Sequence, residues 1–550
     1  MKRKHLVIVF LVAIGIVASL SAFKQTDKHF EISKNMEIFA TVYRDVNNLY
    51  VDELNPSKIM TIGIDAMLES LDPYTNYIPE DNIEDFRTQL TGQYGGIGAV
   101  IGERNKKVII LMPYENFPAN KAGLQIGDEI ISVDGVATTG KNTSDVSKLL
   151  RGQAETPVKV KIKRFNQEQT FDVMLVRQKI KISNVPYYGM INSNTGYIKL
   201  SDFTHDASVE VRKALVELKK KEATQIILDL RGNPGGLLNE AVNVSNIFIP
   251  KDKLVVSTKG KVSEWNKKYI TEAAPDDINI PLVVLVSGRS ASAAEIVAGV
   301  IQDYDRGIVI GQRSYGKGLV QTTRELPYNS QIKITTAKYY TPSGRCIQAI
   351  DYTNRNADGS VAKIPDSLKV AFKTQNNRLV YDGGGVTPDL PITLDSIASI
   401  TISLVTKSLI FDYATAYHAN HPSIGDAKVF NLTDKDYQDF VSWLKGKDYT
   451  YTTKVEKTLD EMTRQAKQER YYDAMQGQLD ELKKVITKDK ENDLVKFEAQ
   501  IKEYLEEDIA SRYYLQKGII EASFDNDEDI QAALDVFNNK TKYTSILSGK

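Results

Sequence analysis

Three short apolar runs, residues 223–230, 281–286 and 307–311, constrain the fold of this chain more than any other feature. Each is short for a helix and long enough for a buried strand, and turn-forming residues bound each one. Ala223–Leu230 runs into Arg231-Gly232-Asn233-Pro234-Gly235-Gly236, and a helix is expected from about Leu237 to Ile247. Pro281–Val286 breaks at Ser287-Gly288-Arg289 before a small-residue helix from about Ala291 to Gln302. Gly307–Gly311 enters a glycine-rich loop, and another strand, Leu319–Leu326, leaves it. Strands and helices in alternation predict an α/β layer.

Two of these turns hold residues suited to acyl transfer. Ser292 lies at a strand-to-helix corner among Ala291, Ala293 and Ala294, and Lys317 is flanked by Gly316 and Gly318. Free N–H groups and the dipole of the helix N-terminus would stabilise a developing oxyanion there. Ser292-Ala293-Ala294-Glu295 also fits a capping box, so by spacing alone Ser292 is either a helix cap or a nucleophile. Lys317 is likewise either a base or a solvated loop residue. A lysine base must be neutral, and being half neutral near pH 7.5 requires lowering its pKa from about 10.4, at about 4 kcal/mol of disfavoured charge. Its glycines, the apolar Leu319 and Val320, and an amide at Gln321 suit an uncharged amine, whereas a neighbouring carboxylate would hold the proton on. The 231–236 turn offers backbone N–H groups. It matches neither G-x-x-x-x-G-K-[ST] nor G-x-G-x-x-G, which argues against a nucleotide cradle.

The strings S-A-S-A-A-E-I, Y-G-K-G-L-V-Q and D-L-R-G-N-P-G-G-L, in this chain order, resemble the C-terminal processing peptidases, or tail-specific proteases. The resemblance covers about residues 35–395. It implies a PDZ domain before a crotonase/ClpP-like α/β serine peptidase core. It further implies Ser292 as nucleophile, Lys317 as general base and Gln321 as the residue that orients the lysine. The oxyanion donors implied are the N–H of Ala293 and that of Gly235, with Gly236 next, because Pro234 stands where family members carry glycine. Asp303 matches an acidic family position, but about 16 Å of helix separates it from Ser292, so an accessory role is expected. Glu295 is expected as a cap or fold-stabilising acid.

No other constellation competes. Of five histidines only His205 falls in the core, in a polar stretch, and His418-x-x-His421 lacks the glutamate of a zinc helix, so no metal or cofactor is expected. Cys346, the single cysteine, permits no internal disulfide. A net charge of −1 over 550 residues gives no reason to expect a nucleic-acid partner.

Lys2-Arg3-Lys4 before the uncharged run Leu6–Phe23 has the form of a signal peptide or an uncleaved anchor, so export to the periplasm, free or membrane-anchored, is expected. Five segments follow: 1–23 signal or anchor, 24–90 a helical packing or dimerisation arm, 91–177 PDZ, 178–400 peptidase core and 401–550 a helical C-terminal domain. In 91–177 the string A-G-L-Q-I-G-D-E-I-I-S-V-D-G resembles PDZ domains, which add a peptide to a sheet edge and hold its terminal carboxylate. Tyr94, Gly95, Gly96, Ile97 and Gly98 are the expected carboxylate loop, with Val146 and Leu150 at the side-chain pocket. Residues 351–379 read as an irregular surface excursion. The expected partners are proteins or peptides with exposed C-termini, and a homo-oligomer is compatible. The alternative from another class is a catalytically silent PDZ adaptor at the envelope.

Overall fold

The computed structural model describes residues 28–549 apart from 357, 358 and 394; the expected signal or anchor lies outside them. The chain divides into two compact units, Met1–Asp81 with Gln321–Thr335, and Asn82–Val320 with Thr336–Lys550. Among the described residues no helix is long and apolar enough to cross a membrane.

In the first unit a helix over 28–49 precedes Pro56–Glu69, whose start is set by Pro56 at its first turn and by Asn55, which accepts the Lys58 N–H. Asp72 then tightens a turn by accepting from the N–H groups of Tyr74 and Thr75. Strand Asn76–Ile78 pairs antiparallel with residues 331–333.

The second unit is built on a six-stranded sheet. Its order is Tyr187–Met190, Thr195–Lys199, Gln225–Asp229, Leu282–Val286, Ile308–Gly311 and Leu390–Pro391; the first pair is antiparallel and the rest are parallel. Strand residues alternate between two apolar layers, as the period of two requires. Ile226, Leu228 and Val284 pack on the helices Ala207–Lys220, Leu238–Phe248 and Ala293–Asp303. Ile227, Val283 and Leu285 face the other way, against Phe524, Ile530 and Phe537. Both faces are therefore covered, which is why Ile226–Leu228, Leu282–Val286 and Ile308–Ile310 read as continuous apolar stretches.

The region expected as one C-terminal helical domain thus serves two cores. Helices Ser399–Thr406, Leu409–Asn420, Asp434–Trp443 and the first half of Glu498–Ala522 enclose their own cluster around Leu404, Tyr413, Phe440 and Leu505. Helices Glu528–Asn538 and Lys540–Ser548 form the second cover of the six-stranded sheet. The stretch 351–379, expected to be irregular, instead holds two small hairpins, Ile350–Arg355 with Val361–Lys363 and Ala371–Lys373 with Leu379–Tyr381. Most of these strands are only three residues long, too short for a period-two alternation to mark them.

Strands Ala99–Arg104, Lys107–Pro113, Glu129–Val133, Pro157–Lys163 and Thr170–Val176 form an antiparallel sheet, with helix Thr143–Leu150 closing a core around Ile110, Val146 and Val160. Ala99–Arg104 is an edge strand, so its outer backbone groups are open to pairing.

Candidate active site

Three loops leave the carboxyl ends of adjacent parallel strands, where open α/β sheets hold their ligands. They carry residues 230–236, 287–292 and 312–318. The serine turn is stitched to the glycine turn by Ala291 N–H on the Asn233 carbonyl, 2.9 Å, Ser290 Oγ on the Leu230 carbonyl, 2.8 Å, and Gly232 N–H on Ser287 Oγ, 3.1 Å. It is stitched to the lysine loop by Tyr315 N–H on the Ser290 carbonyl, 3.0 Å.

Ser292 precedes helix Ala293–Asp303 with φ 54° and ψ −114°. An ordinary capping serine is extended, with negative φ. A non-glycine residue held in this region carries about 1–3 kcal/mol of strain, and such strain gathers at functional turns. Glu295 still returns the reciprocal bond of a capping box to the Ser292 N–H, so a helix-capping position and an exposed hydroxyl are compatible at this residue. The half-buried side chain stands where strand turns sharply into helix, the geometry that exposes a nucleophile. Tyr339 holds the turn from behind, its buried hydroxyl donating to the Ser292 carbonyl at 3.1 Å.

Glu295 binds the serine and the lysine loop to one point. It is wholly buried, and its carboxyl accepts from Ser292 N–H at 2.8 Å, Ser314 Oγ at 2.5 Å, Gly316 N–H at 2.7 Å and Lys317 N–H at 2.9 Å. The Ser292 and Lys317 nitrogens, 25 residues apart in sequence, therefore share one oxygen, Oε2. Burial pushes the Glu295 carboxyl pKa up, while the four donors pull it down. Gly316, at φ 89°, lies so close to Ala349 that an added Cβ would stand 2.3 Å from that residue's own.

The glycine turn approaches the serine closely. Gly235 has φ 98°, and a Cβ there would lie 2.8 Å from Ser292 Cβ and 2.9 Å from Ala293 N. Its N–H, the first expected oxyanion donor, is held by Asn233 Oδ1 at 2.8 Å. Among the described residues, the N–H groups of Gly236 and Ala293 donate to no protein acceptor. In the first unit, Gln321, expected to orient the lysine, donates to Thr335 Oγ1 at 3.2 Å.

Asp303 is engaged in a buried ion pair. Its carboxylate pairs with Arg345 at 2.9 Å, both side chains almost fully enclosed, and accepts the Ser343 N–H at 2.9 Å. Asp303→Ala leaves the Arg345 cation buried and unpaired and is expected to destabilise the protein by about 3–5 kcal/mol. A lowered denaturation midpoint with unchanged turnover per folded molecule is the expected result; a rate that collapses in fully folded protein would return Asp303 to the chemistry.

A groove lies between edge strand Ala99–Arg104 and helix Thr143–Leu150, with Asp85, Thr88 and Gln89 of helix Ile83–Thr91 along a third side. Leu150 lines it as expected. Val146 does not: it is fully buried in the domain core, and the helix turns Thr143, Ser144 and Ser147 to the groove instead. Tyr94, Gly95 and Gly96, expected in a loop, belong to strand Gln93–Gly96, paired with Gln178–Lys181; only Ile97 and Gly98 continue as loop. Arg151 closes this end, with its guanidinium 5.1 Å from the Tyr94 ring centre and ion-paired to Asp85. No sequence signal singles out Arg151, Tyr339 or Ser314, whereas Glu295 is marked by the capping-box spacing.

Residues 194–354 match peptidase family S41, 109–164 match the PDZ domain, and 400–537 match the family described as "Probable PDZ-protease, C-terminal helical domain". The chain is 34% identical over 354 residues to a carboxy-terminal-processing protease of Bartonella bacilliformis, covering 63% of this chain and 81% of that one. It is 36% identical over 335 residues to a "Probable CtpA-like serine protease" of Staphylococcus haemolyticus, covering 61% of this chain and 66% of that one. A solved structure of a photosystem II D1 C-terminal processing protease is 28% identical, with 64% of this chain and 92% of that one covered and a TM-score of 0.35.

Proposed function

This chain belongs to the carboxy-terminal-processing serine proteases of peptidase family S41, and from that premise we propose that it is an exported endopeptidase that holds protein C-termini in its PDZ groove and cleaves through a Ser292–Lys317 dyad. The observation that carries the dyad is the sharing of Glu295 Oε2 by the Ser292 and Lys317 N–H groups. It fixes the roots of both side chains to one buried atom.

In this reading Lys317 Nζ takes the proton from Ser292 Oγ as that oxygen attacks the scissile carbonyl carbon. The tetrahedral oxyanion faces the Ala293 and Gly236 N–H groups, supported by the unengaged state of both donors. The C–N bond then breaks, Lys317 returns the proton to the leaving amine, and an acyl-Ser292 ester remains. Water then gives a proton to Lys317 as its oxygen attacks the acyl carbon, the ester bond to Ser292 Oγ breaks, and Lys317 returns that proton to Oγ.

Capture of a tail is supported by the open edge strand and by Arg151 at the groove's end. A peptide ending in a free carboxylate is expected to bind at least about tenfold tighter than its amide, the worth of a hydrogen bond to a charged group. Calorimetry on the full chain checks this, and equal affinities would remove the carboxylate from recognition. Export is supported by Lys2-Arg3-Lys4 and Leu6–Phe23. The proposal as a whole is tested by incubating an unfolded substrate bearing an apolar free tail. Cleavage that depends on the tail supports it, and an inert full-length enzyme contradicts it.

A further inference from the structure

Arg231 immediately precedes the glycine turn, yet its side chain runs away from Ser292 to the outer face of the sheet. There its guanidinium pairs with Asp229 at 2.7 Å, Asp527 at 2.7 Å and Asp529 at 3.0 Å. Asp229, fully buried, also accepts from the Tyr197 hydroxyl at 2.6 Å and pairs with Lys199 at 3.1 Å. Lys199 Nζ in turn donates to the Arg231 carbonyl at 2.9 Å, so the backbone at the mouth of the turn is held as well. Burial by itself would lower the Arg231 pKa, but interaction with Asp229 and Asp527 pushes it up.

Asp527 and Asp529 come from the start of helix Glu528–Asn538, almost 300 residues further on. Asp527 is that helix's cap, accepting the Ile530 N–H at 3.1 Å. Asp529 is 1% exposed, and its second oxygen takes the Gln312 amide at 3.2 Å. Gln312 begins the loop that carries Lys317. One buried carboxylate from the C-terminal segment therefore touches the root of the glycine turn and the root of the lysine loop. Neither contact reaches the reacting atoms.

We propose that Asp527 and Asp529 are positioning residues, through which the docked C-terminal helix holds the oxyanion turn and the base loop in register with Ser292. This rests on the serine-protease reading above. The C-terminal segment then completes the active site rather than merely covering apolar sheet. A role in stability alone would need only Ile530, Val536 and Phe537 on the sheet. The charged network reaches the loops instead.

The test uses the full chain and a fluorophosphonate probe, whose rate of modification reads the serine and its oxyanion donors without needing tail capture. In the Asp527→Asn/Asp529→Asn double variant, measured well below its unfolding temperature, the modification rate is expected to fall about 10- to 100-fold, the scale of a small misplacement of reacting groups. Affinity for a tail peptide and KM should stay within about twofold, so that the loss appears in kcat. Asp535→Asn, an exposed acid on the same helix, should leave the rate unchanged. If the double variant does not fold, Asp527→Asn alone serves, because asparagine caps a helix as well as aspartate while removing the charge; a severalfold slower modification is expected. Wild-type rates in the folded double variant, or in that single variant, overturn the proposal. Wild-type protein left unmodified at Ser292 would instead overturn the serine reading on which it rests.

Discussion

Ser292→Ala is expected to lower peptide cleavage at least about 10⁴-fold, since removal of a nucleophile leaves only what binding and oxyanion donors supply. Tail binding should be unaffected, because the groove between Ala99–Arg104 and Thr143–Leu150 contains no part of the serine turn. Folding should not suffer either. The bonds that define the turn run through the Ser292 backbone, its N–H to Glu295 and its carbonyl to Tyr339, and alanine retains both. The backbone strain at φ 54° persists in alanine, so stability should change little. A cleavage assay beside a tail-binding titration checks this. Near-normal cleavage by a folded variant would mean that another group attacks.

The second large effect is at Lys317. Lys317→Ala is expected to lower turnover by about 10²- to 10⁴-fold, the usual range for a lost acid–base group. Lys317→Arg separates the base from a merely electrostatic cation, because guanidinium keeps its proton at every pH the protein survives. If Lys317 moves protons, arginine is as inactive as alanine; if it only contributes positive charge, arginine restores most of the rate. Both variants preserve the Lys317 N–H on Glu295, so the loop's anchor survives.

Much of this architecture is legible in the sequence for identifiable reasons. Strands covered on both faces leave unbroken apolar runs, and residues 225–229, 282–286 and 308–311 fall within the runs that predict them. The helix after Ser292 is announced by small residues and begins at Ala293. The capping-box spacing foretells one bond of Glu295, that from the Ser292 N–H. Its bonds to Ser314, Gly316 and Lys317 depend on how the following loop folds back, which no local pattern encodes. The same holds for the C-terminal helix. Ile530, Ala533 and Phe537 share a stripe at helical spacing, but an apolar stripe carries no address, and here it belongs to the catalytic sheet rather than to the preceding bundle. Arg231 reads as part of a turn motif, whereas its partners lie almost 300 residues away. Helical rise sets Asp303 about three turns along the helix from Ser292, but its partner Arg345 depends on the tertiary fold.

Ser292 is expected to become acylated during turnover. Acid quenching during cleavage of a slow ester or peptide substrate, followed by peptide mapping by mass spectrometry, reads this directly. The acyl mass should lie on the peptide containing Ser292, appear before product in the first turnover, and be absent in Ser292→Ala. Turnover with no trapped adduct under conditions where acylation outruns deacylation, or an adduct on any other residue, would contradict it.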